Sequence, residues 1–159
     1  IKSTGPAKSL LVVWWALEIC SILRYLQSLK PPIVHRDLTP DNLIWKGDRH
    51  VKLFDFTVAH KFEAQRLATI VGKQSYMAPE QVKGLPCPQS DIYSLGATMY
   101  FLLTGEDPEP LSVASPRALN PDVDEKLDQI VQRCMQFDLK KRYADPREIE
   151  KDLSVISAP

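Results

Sequence analysis

Apolar positions in the first fifth of the chain recur with a helical period. Leu11, Trp15, Ile19, Ile22, Leu26 and Leu29 fall on one face of a helix over residues 7–29. Its first half is apolar nearly all round, which requires burial on several sides and makes Trp14 and Trp15 core residues. Pro6 suits the helix start, and Lys30-Pro31-Pro32 ends it. The pattern then shortens. Ile33-Val34 predicts a brief strand, and Leu43-Ile44-Trp45 and Val51-Lys52-Leu53-Phe54 predict two more, joined through Gly47-Asp48 as a hairpin. Such a hairpin brings Asn42 and Asp55, at its two outer ends, to one edge.

Residues 57–75 show no period and carry mixed charge, so they predict a long loop, a kind of segment that is usually functional when it has no structure of its own. Tyr76-Met77-Ala78-Pro79-Glu80 opens a short helix ending near Gly84. Leu85-Pro86-Cys87-Pro88 is a rigid connector into a second buried helix, over about 90–103. Ser90 or Asp91 caps that helix, Ile92, Leu95, Met99, Leu102 and Leu103 line its apolar face, and Gly105 closes it. Residues 106–121 are rich in proline and polar side chains. Acids at Asp122, Asp124 and Glu125 favour the start of a helix running to about residue 137, through Leu127, Ile130, Val131 and Met135. A last helix over 146–156 buries Ile149, Leu153 and Ile156. The expected fold is one unit, mainly α with a small β-hairpin.

Composition narrows the setting. A chain of 159 residues with 44% apolar content can bury a sizeable core. Twenty basic residues balance twenty acidic ones, so no overall field favours nucleic acid or an anionic membrane. Cys20, Cys87 and Cys134 are scattered and odd in number, which suits buried inert thiols in a reducing cytoplasm rather than a metal knuckle or a disulfide framework. The longest apolar run, residues 10–17, stops at Glu18 and is too short to span a bilayer, so no membrane contact is expected from this segment. The chain begins at Ile1 without an initiator Met and reads as a piece of something larger, whose other segments would decide any membrane anchoring.

The chemistry concentrates between His35 and Phe56. In His35-Arg36-Asp37-Leu38-Thr39-Pro40-Asp41-Asn42, Asp37 can take a proton. Asn42 and Asp55 offer oxygens for a hard cation such as Mg²⁺. This stretch with Asp55-Phe56 resembles the catalytic loop and metal-binding motif of the protein kinases. Further along, Ala78-Pro79-Glu80, Asp91-Ile92-Tyr93-Ser94-Leu95-Gly96 and Arg142 follow in the family's order. The chain thus resembles a protein-kinase C-terminal lobe of Ser/Thr type. Residues 1–30 correspond to the long buried helix, 33–56 to the catalytic loop, hairpin and metal motif, 57–80 to the activation segment and 85–159 to the helical subdomain. Pro40-Asp41-Asn42 and Met77-Ala78-Pro79-Glu80 resemble the Ser/Thr branch, with a bacterial cast.

The resemblance implies roles residue by residue. Asp37 would be the base orienting a protein-substrate hydroxyl, and Asn42 and Asp55 would hold Mg²⁺ against the phosphates of ATP. Asp91 would brace the catalytic loop from below, and Glu80 with Arg142 would form a buried ion pair. Read without the family, Asp91 is an ordinary helix cap and the other two are unrelated surface charges. His35 would be a packing residue rather than a base. Arg36 would pair with a phosphorylated activation loop, for which Thr69 is the candidate site, with His60 or Lys61 adding charge.

Three departures qualify the resemblance. The family's catalytic-loop lysine is Thr39 here, while Lys73 stands where the activation segment usually has threonine. The two exchanged positions would return one ammonium and one hydroxyl to the same space; the alternative is two independent losses. Asp55-Phe56-Thr57 lacks the usual glycine, which restricts segment movement without removing the metal ligand. No glycine-rich loop or strand lysine is present, so the isolated chain is expected to bind nucleotide poorly and to need an N-terminal lobe. Two rival readings are a pseudokinase or scaffold, and a small-molecule phosphotransferase of kinase-like fold.

Overall fold

A computed structural model describes residues 5–46, 50–54 and 73–157. Among the described residues five α-helices carry the fold: α1 (Ser9–Ser28), α2 (Pro79–Val82), α3 (Pro88–Thr104), α4 (Glu125–Cys134) and α5 (Pro146–Ser157). Strands β1 (Leu43–Lys46) and β2 (His50–Leu53) form an antiparallel pair in which Leu43 faces Leu53 and Trp45 faces Val51. Short 3₁₀ turns cover Pro40–Asn42, Lys73–Tyr76 and Pro116–Ala118.

Helix α3 is the axis of the structure. From Ser90 to Leu103 every side chain is buried, polar ones included. It starts two residues earlier than its apolar pattern suggests, because Pro88 occupies the first helical position, where a missing N–H costs nothing. Ser90 contributes to the cap by accepting from the Cys87 N–H at 3.0 Å. Asp91 does not cap the helix; its carboxylate points elsewhere, as described below. Gly105 ends α3 at φ 80°, and its N–H closes on the Phe101 carbonyl at 2.7 Å.

Helix α1 packs against both α3 and α5, and α4 packs against α3 and α5. By length and composition α1 could cross a bilayer, since the apolar pattern runs on past Glu18. Its buried face (Val12, Val13, Trp15, Ala16, Ile19, Cys20, Leu23 and Leu26) instead joins the hydrophobic core. Trp15 meets Trp45 of β1 with ring centroids 4.5 Å apart, which fastens the hairpin to α1. Where α3 crosses α4, Gly96 has no room for a side chain: a Cβ there would lie 2.6 Å from the Cys134 Cβ.

Several expectations are corrected. Ile33-Val34 forms no strand; the Ile33 N–H bonds the Leu26 carbonyl at 3.1 Å, folding this segment back onto the end of α1 instead of into a sheet. The predicted loop over 57–75 gives way by Lys73 to a 3₁₀ turn that takes in Tyr76, so the following helix begins only at Pro79. Helix α4 starts at Glu125, because Asp124 caps it by accepting the Lys126 N–H at 2.8 Å, and it stops at Cys134. Cys20 and Cys134 are buried thiols as expected, but Cys87 is partly exposed.

Candidate active site

The loop between α1 and β1 is held almost entirely through its backbone. The buried Asp91 carboxylate accepts the N–H of His35 through Oδ2 and that of Arg36 through Oδ1, both at 2.8 Å. These two bonds sit where Arg36 adopts φ 68°, a left-handed conformation that a non-glycine residue takes up only when its surroundings enforce it. The Arg36 carbonyl accepts from Gln81 Nε2 at 2.9 Å, and the Leu38 carbonyl from Thr98 Oγ1 at 3.3 Å. Four backbone groups, on His35, Arg36 and Leu38, thus take their place from α2 and α3.

This geometry presents Asp37 and Asn42 to each other. Asn42 Nδ2 donates to the Asp37 carbonyl at 2.7 Å and to Asp37 Oδ2 at 2.8 Å. The Asn42 backbone is tied on both sides: its N–H bonds the Thr39 carbonyl at 3.0 Å, and its carbonyl accepts the Phe54 N–H at 3.1 Å. With its amide nitrogen engaged by Asp37, the Asn42 Oδ1 makes no hydrogen bond among the described residues and remains an oxygen donor of the kind a hard cation takes.

His35 is fully buried. Its Nδ1 accepts the Asp37 N–H at 3.4 Å, which leaves Nε2 to donate to the Phe54 carbonyl at 3.2 Å. Both ring nitrogens therefore serve the loop and the strand end. Thr39 is also buried, and its Oγ1 has no hydrogen-bond partner among the described residues. The Arg36 Nε is likewise buried without one.

A second polar cluster lies beneath. Arg142, 2% exposed, forks both Glu80 oxygens: Nη1 to Oε1 at 2.6 Å and Nη2 to Oε2 at 3.2 Å. Its remaining donors reach the Gln136 and Gln89 carbonyls, and Ser90 Oγ donates to Glu80 Oε1 at 2.7 Å. The guanidinium thus donates four hydrogen bonds, two of them to the paired carboxylate, which is the kind of satisfaction a buried pair needs to hold. The first turn of α3 serves both clusters, with Ser90 facing Glu80 and Asp91 facing the loop between α1 and β1.

Burial drives the Asp91 carboxyl up to about 6, against the two backbone N–H groups and the Arg36 charge that pull it down. Burial also acts upward on Glu80, but the hydrogen bonds from Arg142 and Ser90 outweigh it and hold that carboxyl below its ordinary value.

The structure therefore assembles His35, Arg36, Asp37, Asn42 and Asp91 in one place and pairs Glu80 with Arg142. Lys73 lies in the 3₁₀ turn Lys73–Tyr76. Asp55, Phe56, Thr57, His60, Lys61 and Thr69 fall outside the described residues. Sequence reading missed Gln81 and Thr98 as supports of the loop. Their polar side chains inside buried helical segments were the available signal.

A helical lobe whose buried central helix holds such a loop by a single carboxylate is the C-terminal-lobe architecture of a protein kinase. The chain matches the protein kinase domain family over residues 3–154, and it belongs to that family. A probable serine/threonine-protein kinase of Clostridium acetobutylicum is 31% identical over 173 residues, covering 98% of this chain and 26% of that protein. Serine/threonine-protein kinase PknB of Mycolicibacterium smegmatis is 28% identical over 172 residues, covering 96% of this chain and 27% of that protein. The chain thus spans about a quarter of the length of these curated relatives. The crystal structure of the PknI kinase domain of Mycobacterium tuberculosis matches with a TM-score of 0.73 at 24% identity, covering 96% of this chain and 57% of that one. That likeness speaks for the fold.

Proposed function

We propose that this chain is the catalytic-loop half of a serine/threonine protein kinase, which transfers the γ-phosphoryl group of ATP to hydroxyls of protein substrates. The observation that carries the reading is the double contact from Asn42 Nδ2 to the Asp37 backbone and carboxylate, on a loop clamped by Asp91. It sets a proton acceptor and an oxygen donor side by side at fixed distance, as positioning catalysis requires. Asp37 accepts the substrate hydroxyl proton. Asn42 Oδ1 and Asp55 are the residues to hold Mg²⁺; the oxygen donors fit a hard cation, which when bound offsets the charge of the phosphates.

Thr39 and Lys73 supply the hydroxyl and the ammonium that the family usually carries at exchanged positions. The Thr39 Oγ1, which has no partner among the described residues, supports this part, since a buried hydroxyl without a partner is costly unless something in the working site meets it. Arg36, with a buried Nε that has no partner among the described residues, is the receptor for phosphate on Thr69. Mass spectrometry of the active protein should find that phosphate, and its absence removes this part of the proposal. A second lobe, not contained in this sequence, presents the nucleotide.

The test is radiolabelled phosphate transfer by the full-length protein onto a generic basic protein, with and without Asp37→Asn. Transfer to serine or threonine that the substitution abolishes supports the reading. No transfer favours a scaffold, and transfer only to small molecules favours a small-molecule phosphotransferase.

A further inference from the structure

Tyr76 ends the 3₁₀ turn Lys73–Tyr76, directly before Met77 and α2. It is held in three ways. Its ring is buried, 5% exposed, and its carbonyl accepts from Ser94 Oγ at 2.7 Å. Its hydroxyl donates to Asp107 Oδ1, across 31 residues of sequence. Ser94 lies three residues beyond Asp91, so one face of α3 supports the catalytic loop and, next to it, the end of the activation segment.

Asp107 belongs to the loop that leaves α3 after Gly105. Thr104 Oγ1 accepts the Glu106 N–H at 3.2 Å, and Pro108 is buried on the other side. A solvent-exposed aspartate is thus held at a defined place and reaches a buried ring. The Tyr76 hydroxyl also feels the negative charge of Asp41, which lies in the turn between Asp37 and Asn42. Burial and the Asp107 bond keep that hydroxyl protonated far above its ordinary range, so it stays a donor at every working pH. The tyrosine therefore stands between the loop after α3 and the loop that carries the base.

We propose that Asp107 is a positioning residue for the protein substrate: acting through the Tyr76 hydroxyl, it holds residues 73–78 in register with Asp37. This rests on the kinase reading above. A hydrogen bond to a charged acceptor in a partly buried setting is worth enough to bias a short segment between two positions. Loss of the bond removes only a hydroxyl or an exposed carboxylate and leaves the buried Tyr76 ring and its Ser94 contact in place against α3.

The test uses the full-length protein with Asp107→Ala, Asp107→Asn and Tyr76→Phe. Expected are a rise of about tenfold in the peptide KM for Asp107→Ala and Tyr76→Phe, an unchanged KM for ATP, and recovery in Asp107→Asn, which keeps an acceptor oxygen. The double variant Asp107→Ala/Tyr76→Phe should be no worse than either single one. Hydrogen exchange should speed up in residues 73–78 in Asp107→Ala while α3 keeps its protection. A wild type that transfers no phosphate overturns the kinase reading and the positioning role with it. An active wild type whose Asp107→Ala variant keeps its peptide KM, or shifts both KM values together with a fall in Tm, overturns the positioning role alone.

Discussion

Glu80 and Arg142 stand 62 residues apart in the chain and form a two-pronged ion pair. Arg142 is the largest fully buried side chain among the described residues, and its guanidinium carbon lies 5.3 Å from the centre of the Tyr93 ring. The pair joins α2 to the approach to α5, and Ser90 of α3 adds a hydrogen bond to Glu80.

Removing the arginine leaves Glu80 half-buried and charged without its partner. Arg142→Met should therefore destabilise the domain by about 3–5 kcal/mol, read as a large fall in Tm. The pair also predicts acid sensitivity. The Glu80 carboxyl is lower in the folded state than in the unfolded chain, so its contribution is complete above the unfolded value of 4.5 and is lost as pH falls through the folded value. Melting temperature measured against pH should show this acid loss in the wild type and a weaker one in Arg142→Met.

Asp91 has the opposite sign. Its carboxyl sits at about 6 in the folded protein against 3.8 in the unfolded chain, so folding favours the protonated form. Its contribution is greatest below 3.8 and is lost as pH rises through 6. Asp91→Asn should remove that downward slope between about pH 4 and 6. The amide also turns an NH₂ toward one of the two loop N–H groups, so at neutral pH the variant should lose most phosphate transfer while remaining folded by circular dichroism. A variant with full activity and the wild-type pH slope would sink the bracing role.

Gly96 marks the closest approach of α3 and α4. An added methyl would lie 2.6 Å from Cys134 Cβ and 2.8 Å from Met135 Cγ, and would also press on the Val131 carbonyl. Gly96→Ala should cost about 1–3 kcal/mol through overpacking, despite the better helix propensity of alanine. A thermal melt equal to or above that of the wild type would contradict the close packing.

The exchange of Thr39 and Lys73 has a direct test in the full-length protein. Thr39→Lys/Lys73→Thr should retain clearly more phosphate transfer than either single change, because only the double variant keeps one ammonium and one hydroxyl in the site. A double variant no more active than the single ones would mean that the two positions do not exchange roles.

Much of the architecture was readable along the chain. The apolar period placed α1 and α3, the acids before Leu127 placed the start of α4, and the Leu43 and Val51 runs placed the hairpin. These signals are local: a helix or strand declares which face it buries through residues only a few positions apart. The ordered motifs from His35 to Arg142 made the family legible for the same reason, since each is a short contiguous run. Ile33-Val34 shows the limit. Its composition suits a strand, but whether an extended segment becomes one depends on a neighbour to pair with, and here the Leu26 carbonyl takes the Ile33 N–H first.

By itself, then, the sequence determined the main helices and the hairpin, the family and the residues able to do the chemistry. Only the tertiary structure decided what holds them. Asp91 reads equally well as a helix cap until α3 is packed under the loop, where its carboxylate meets two N–H groups 55 and 56 residues away. Gln81, Thr98 and Asp107 carry no motif at all, because a hydrogen bond between distant segments leaves no period in the chain. Their roles arise from burial, which removes water as a competitor and obliges each polar group on the loop to find its partner within the protein.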